Sequence, residues 1–293
     1  MLAVACPGQG AQSPGMLAAW LDVPGVAELL GHAGDVTGID LVAHGTVADA
    51  DAIRDTAVAQ PLLVATALAS LRAVLDGTDA AVTWPALTAG RVDVVAGHSV
   101  GELAAAAVAG VLTDDEALTL VAVRGAAMAR AAAAGPTTGM SAVLGGDPDE
   151  VAAAIAAHGL VAANVNGGGQ VVAAGSIDAL VALAAAAPAR AKVVALQVAG
   201  AFHTDVMAPA VAALAAAAGQ VVPGDPTLTL LGNADGEPVS TGAQALARLV
   251  AQVALPVRWD LCQARMAELG VTGLLEVAPA GVLTGLAKRV LPG

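Results

Sequence analysis

The residues best suited to chemistry lie in Gly97-His98-Ser99-Val100-Gly101, a G-x-S-x-G pattern. A compact β-branched run, Val92 to Ala96, comes before it. A helix-compatible stretch, Gly101 to Ala109, follows and is closed by Gly110. Strand before and helix after is the setting of a nucleophile elbow, in which glycines allow a tight turn that lifts the serine hydroxyl off the sheet. The helix N-terminus then presents backbone amides to a developing oxyanion. The bland alternative is a chance glycine-serine turn in a chain with 34 glycines. The flanking elements weigh against it.

A neutral serine hydroxyl is a poor nucleophile and needs a base. His32 and His44 lie in polar, surface-like segments. His98 adjoins Ser99, so its ring is expected to point away from the hydroxyl. His158 falls at a predicted helix end, where an imidazolium is favourable without any catalysis. His203 remains, in the loop Ala199 to Asp205 between a strand and a helix, a suitable place for functional groups. Taken alone, a lone loop histidine is more often a solvated side chain. An α/β-hydrolase places its histidine last, after an acid. Here the 90 residues after His203 contain no histidine. The orienting group of a Ser99–His203 dyad need not therefore be a carboxylate.

These residues need a scaffold, and the patterning outlines one. Leu2 to Cys6 reads as a strand stopped by Pro7-Gly8. Ala57 to Leu75 reads as a helix with Pro61 early in it and Gly77 as its stop signal. Thr113 to Glu116 is a capping box that opens a helix to about Ala134. Residues 135–200 then change character. Strands at Met140 to Leu144, Leu160 to Val165, Gln170 to Ala174 and Lys192 to Val198 alternate with two helices. One helix ends at His158, and the other runs from Ser176 to about Ala187. The order βαββαβ is ferredoxin-like. The expectation is an α/β, hydrolase-like domain (1–134 and 201–293) with a parallel sheet, carrying an inserted ferredoxin-like subdomain (135–200). The larger domain resumes with a helix at Val206 to Ala218 and a strand at Leu228 to Leu231. Helices at Ala243 to Ala254 and Trp259 to Leu269, a strand at Gly273 to Val277 and a helix from Val282 complete it.

Composition narrows the function classes. The 293 residues carry a net charge of −13 and are 57% hydrophobic but only 1% aromatic. Alanine, at 76 residues, makes up the difference. The acidity argues against nucleic acid, which requires a basic footprint. No run of about 18 apolar residues is free of polar punctuation, so no membrane span is expected. Cys6 and Cys262 suit a reducing, cytoplasmic setting. Met1 to Cys6 superficially matches a lipoprotein cleavage box, but it lacks a basic n-region and reads better as a buried first strand.

Five segments occur in one order: Pro7 to Gln12, Gly97 to Glu102, Val123 to Gly125 with Met128, Ala201 to His203, and Glu276 to Gly281. Together they resemble malonyl-CoA:acyl carrier protein transacylases and the related acyltransferase domains of polyketide synthases. The likeness spans essentially the whole chain and agrees with the inserted subdomain. It implies that Ser99 carries the acyl ester and that His203 is its general base and acid. It further implies that a backbone carbonyl at Gln252 orients the histidine. The backbone amides of Gln9 and Val100 would form the oxyanion hole. Arg124 would pair with the free carboxylate of the malonyl group, to which its fork is matched. Without the resemblance, Arg124 would read as a helix-surface arginine paired with Asp115 or Glu116. Met128, four residues on, would line the acyl pocket or the core. Phe202 would favour malonyl over methylmalonyl, a modest discrimination of about 1–3 kcal/mol. Val100 stands where the family often has leucine, which preserves the backbone donor.

The resemblance implies ping-pong transfer from malonyl-CoA to the phosphopantetheine thiol of an acyl carrier protein, without metal or cofactor. It also implies a monomer. Carrier proteins are generally acidic, so a net charge of −13 calls for a local basic docking patch. Arg190 with Lys192, or Lys288 with Arg289, are the docking candidates. A dinucleotide-binding loop at Gly8 and Gly10 is disfavoured, because Ser13 holds the place of the third glycine. A serine thioesterase using water, a polyketide-type acyltransferase and a catalytically silent carrier-binding scaffold are the competing readings.

Overall fold

The fold begins where short apolar runs meet. A computed structural model describes residues 1–291. β1 (Leu2–Cys6) is followed by α1 (Val26–Thr37), α2 (Leu41–Thr46), α3 (Thr56–Val74) and α4 (Trp84–Thr88). β2 (Val94–Gly97), α5 (Gly101–Val108) and α6 (Asp114–Ala134) come next. The middle of the chain holds β3 (Thr138–Gly145), α7 (Pro148–Ala157), β4 (Val161–Gly167), β5 (Gln170–Ser176), α8 (Ile177–Ala185) and β6 (Ala191–Ala195). The last part holds α9 (Ala208–Ala218), β7 (Thr229–Leu231), α10 (Gly242–Gln252), β8 (Val257–Arg258), α11 (Trp259–Glu268), β9 (Gly273–Glu276) and α12 (Val282–Val290).

Two sheets organise these elements. The first has strand order β7-β2-β1-β9, with every pair parallel. Its central strands are buried along nearly their whole length, which explains why they read as continuous apolar runs rather than alternations. Cys6 pairs with Gly97. This register brings the loop after β1 and the turn after β2 to one carboxyl edge, where open α/β sheets build their sites.

The second sheet has order β6-β3-β5-β4-β8. Its first four strands are antiparallel neighbours in the ferredoxin-like arrangement, for example Ala142 opposite both Val172 and Val194. The fifth strand was not anticipated: β8, from outside residues 135–200, pairs parallel with β4 through Asn164 and Val257. Two residues are too short to carry a periodic signal. The final strand of this unit also ends at Ala195 rather than Val198. The chain leaves the sheet there, and Gln197 and Val198 line a cavity instead. Helices α1, α2 and α4 were likewise absent from the sequence reading.

Alanine determines how the helices meet. α3 is buried almost throughout from Ala59 to Arg72, so it lacks the one-sided stripe of a surface helix. It packs against α6 so closely that a Cβ on Gly125 would lie 2.9 Å from the Thr56 carbonyl oxygen. The capping box at Thr113 and Glu116 opens α6 as expected. By length and composition alone, α3 and α6 qualify as membrane-crossing helices. A search for unbroken apolar runs passes over them, because Gln60 and Arg72 interrupt one and Arg124 and Arg130 the other. In the fold, most of α3 is spent on its neighbours.

Candidate active site

The elbow is built from glycines that nothing larger could replace. A Cβ on Gly97 would run into the backbone of Gly101 and Glu102, and one on Gly101 into the Cys6 carbonyl. A Cβ on Gly8 would stand 2.6 Å from the His98 carbonyl oxygen. Ser99 itself sits at φ 53°, in the left-handed region that non-glycine residues seldom occupy. Two side chains hold it there. Asn233 Oδ1 accepts the Ser99 backbone N–H at 2.8 Å, and Asn233 Nδ2 donates to the Gly97 carbonyl at 2.7 Å. On the other side, Gln252 Nε2 donates to the Ser99 carbonyl at 3.0 Å.

The structure brings Ser99 and His203 together across 104 residues, with Oγ 2.7 Å from Nε2. His203 is also in the left-handed region, at φ 59°. Backbone strain of this kind persists where the surroundings over-determine it, and it concentrates at functional sites. The far ring nitrogen, Nδ1, lies 2.8 Å from the Gln252 carbonyl and 3.2 Å from that of Leu255. Both are acceptors only, so Nδ1 carries the proton and Nε2 faces the serine unprotonated. Burial, with the Arg124 charge added, pushes His203 down from 6.5 to about 3. The imidazole is therefore neutral at neutral pH, the state a base requires.

Arg124 reaches the same spot from α6. It is 1% exposed. Nη1 donates to Gln60 Oε1 at 2.7 Å, while Nη2 donates to Gln252 Oε1 at 2.8 Å and stands 3.3 Å from Ser99 Oγ. Burial lowers its pKa to about 10, and the Glu102 charge opposes the shift. It thus remains a cation. The surface pairing with Asp115 or Glu116 does not occur: Asp115 binds His32 at 2.7 Å and Glu116 closes the capping box.

A cavity of about 410 Å³ opens onto this cluster, lined among others by Gln9, Gln60, Ser99, Met128, Phe202 and His203. Phe202 and Met128 are buried at its wall, and Met128 Sδ takes a weak hydrogen bond from Gln60 Nε2 at 3.5 Å. Among the described residues, the backbone amides of Gln9 and Val100 have no protein acceptor. His98 turns to Asn166, with Nε2 2.8 Å from Oδ1, and does not engage the serine. A larger cleft of about 700 Å³ lies near His32, Arg72, Trp84 and Asp114, and among the described residues no serine or cysteine lines it. There Arg72 is already committed to Asp114 at 2.9 Å and to the face of Trp84.

Three residues of the cluster escaped the sequence reading: Gln60, Glu102 as a participant, and Asn233. Glu102 had a weak local signal, since it is an acid in the first turn after the elbow. Gln60 and Asn233 had none.

A parallel α/β sheet that brings a strained serine to a neutral histidine, beside a buried arginine, is an arrangement suited to acyl transfer. The chain belongs to the acyl transferase domain family, whose family model matches residues 4–291. It is 50% identical over 298 residues to the malonyl CoA-acyl carrier protein transacylase of Mycobacterium tuberculosis, covering 100% of this chain and 94% of that protein. The Escherichia coli protein of the same name is 34% identical over 292 residues, covering 97% and 91%. The crystal structure of MCAT from Mycobacterium tuberculosis superposes with a TM-score of 0.93 at 50% identity, covering 100% of this chain and 94% of that one. A type II PKS acyl-carrier protein in complex with its malonyl-transacylase gives a TM-score of 0.86 at 33% identity, covering 99% and 93%.

Proposed function

We propose that this protein transfers a malonyl group from malonyl-CoA to the phosphopantetheine thiol of an acyl carrier protein, through a malonyl ester on Ser99. The observation that carries the reading is the Ser99–His203–Gln252 carbonyl relay with the Arg124 guanidinium 3.3 Å from the nucleophile. A plain esterase has no use for a buried cation at that distance. A substrate carboxylate does, and breaking such a buried pair costs about 3–5 kcal/mol.

In this reading, His203 Nε2 takes the Ser99 proton as Oγ attacks the thioester carbonyl. The oxyanion of the tetrahedral intermediate rests on the amides of Gln9 and Val100, donors worth about 3 kcal/mol each. His203 then protonates the departing coenzyme A thiolate. The carrier thiol enters, gives its proton to the same nitrogen and attacks the ester, and the proton returns to Ser99. The Gln252 carbonyl holds Nδ1–H throughout and so keeps one tautomer in play. Every proton and charge in this scheme is handled by the chain's own groups, so it calls for no cofactor. Phe202, at the cavity wall, would limit the room beside the acyl group.

The carrier would meet the mouth of the cavity at a basic patch. Gly145 N–H donates to the Gly169 carbonyl, and Arg190 backbone lies beside Gly145. Arg289 packs over Gly168 in the same glycine turn. The turn joins Asn166 to Gln170, both of which line the cavity. Arg190, Lys192, Lys288 and Arg289 are all exposed, and among the described residues none forms an ion pair. Arg190 and Arg289 thus both border this glycine turn, which supports the reading that an acidic carrier docks there.

Intact-protein mass spectrometry after mixing with malonyl-CoA tests the reading. One malonyl adduct on the parent, none on Ser99→Ala, and transfer of the adduct to added carrier protein are expected. An adduct that decays to free malonate whether or not carrier is present would replace transfer with hydrolysis. No adduct on the folded protein would refute the assignment.

A further inference from the structure

Glu102 takes no part in the chemistry above, yet it is a carboxylate buried one turn beyond the nucleophile, at 6% exposure. Both of its oxygens accept hydrogen bonds: Oε1 from the Asn233 backbone N–H at 2.5 Å, Oε2 from Gln252 Nε2. The other end of the same Gln252 amide, Oε1, accepts from Arg124 Nη2. Above pH 7, where Glu102 is ionised despite its burial, a single neutral amide therefore bridges a buried anion and a buried cation.

Only one orientation of that amide is compatible with its neighbours. With NH₂ toward Glu102 and the oxygen toward Arg124, every contact joins a donor to an acceptor. Turned over, it would set an oxygen against the carboxylate and NH₂ against the guanidinium, in a site too dry to screen either clash. The bridge has a second consequence. Glu102 offsets the buried positive charge without touching it. The guanidinium rests on two amide oxygens, those of Gln60 and Gln252, and among the described residues no carboxylate takes any of its N–H groups.

We infer that Glu102 is a positioning residue for acyl-group selection: through the Gln252 amide it holds the Arg124 guanidinium beside Ser99 Oγ, open to the carboxylate of the incoming acyl group. This rests on the role of Arg124 proposed above. It assigns to a residue of the elbow helix an influence on which acyl group is accepted, separate from the attack itself.

Glu102→Gln is the test. Glutamine offers one acceptor oxygen, and the Asn233 N–H, being backbone, keeps it. The new NH₂ then faces Gln252 Nε2; that nitrogen stays on the Ser99 carbonyl, so the amide is pushed aside rather than turned, and its oxygen no longer meets Arg124 squarely. In single-turnover acylation, half-saturation by malonyl-CoA is expected to rise about 30-fold, with the saturating rate within about threefold. Acylation by acetyl-CoA, which has no carboxylate to place, is expected to stay within about threefold.

A double-mutant cycle with Arg124→Ala separates the outcomes. In the Arg124→Ala background, Glu102→Gln is expected to change malonyl acylation by less than about threefold. An equal loss in both backgrounds, or an equal loss with malonyl-CoA and acetyl-CoA, would overturn the inference and make Glu102 a support of the elbow alone. If Arg124→Ala itself acylated like the parent, the proposed role of Arg124 would fall first. Should Glu102→Gln fail to give a cooperative thermal melt, Glu102→Asp takes its place in the same cycle. It keeps both oxygens one methylene further away, and the same pattern, smaller in size, is expected.

Discussion

Asn233 lies 134 residues from Ser99 and is not among the residues that line the cavity, yet replacing it with alanine should damage both stability and rate. The deletion removes the acceptor of the Ser99 N–H at 2.8 Å and the donor to the Gly97 carbonyl at 2.7 Å. Asn233 is 1% exposed, so little water stands ready to replace it. Each buried group left without a partner costs about 1–3 kcal/mol. Two such groups come to about 2–6 kcal/mol, a large share of the 5–15 kcal/mol or so that holds a typical domain together. The elbow would also lose one of the two clamps on a backbone that sits at φ 53°. Relaxation out of the left-handed region shifts Oγ from His203, and a displacement of about 1 Å typically costs about 100-fold in rate. Urea unfolding followed by circular dichroism reads the first effect, and single-turnover acylation by malonyl-CoA reads the second. Asn233→Asp should not rescue. It keeps the acceptor for Ser99 but sets an oxygen against the Gly97 carbonyl and a second carboxylate near Glu102. A loss below about 1 kcal/mol together with an unchanged acylation rate would show that the glycines alone maintain the elbow, and the reasoning would be wrong.

Other perturbations give readings of different kinds. His203 has its folded pKa near 3 against an ordinary 6.5. Between those values the unfolded chain holds a proton that the folded one does not, so this contribution is present above pH 6.5 and lost as pH falls toward 3. Glu102, raised by burial from 4.5 to about 7, has the opposite sign: its contribution is present below pH 4.5 and lost as pH rises through 7. Melting temperatures taken from pH 7.5 to 4.5 should therefore fall less steeply on acidification for His203→Asn than for the parent, and equal slopes would contradict the burial argument. Lys288→Glu with Arg289→Glu should raise the KM for carrier protein more than the KM for malonyl-CoA, most visibly at low salt. Equal effects on the two substrates would move the docking surface elsewhere. Phe202→Ser should improve acylation by methylmalonyl-CoA relative to malonyl-CoA by about 10-fold, within the reach of one methyl group. An unchanged ratio in a competition assay would remove Phe202 from the acyl pocket.

What the residues alone could reveal was whatever is decided within a few positions along the chain. The elbow is such a case, because Gly97, Ser99 and Gly101 meet one another in a single turn and the β-branched run and helix adjoin them. The capping box of Thr113 and Glu116 is another, and so is the βαββαβ order of the middle segment. His203 was reached by elimination among five histidines, and Gln252 and Arg124 only through family likeness. Tertiary structure decided which side chain faces which. Arg124 meets Gln60 and Gln252 across 64 and 128 positions, and Ser99 meets Asn233 across 134. Those meetings depend on how α3, α6 and α10 cross and on how far alanine lets them approach, and nothing at the polar residues themselves encodes that. The two-residue strand β8 exists only because β4 offers it an edge. Local sequence sets turns, caps and periods through short-range sterics and hydrogen bonds. The polar network around Ser99 depends on the sum of many weak apolar contacts, and these come into being only when the helices pack.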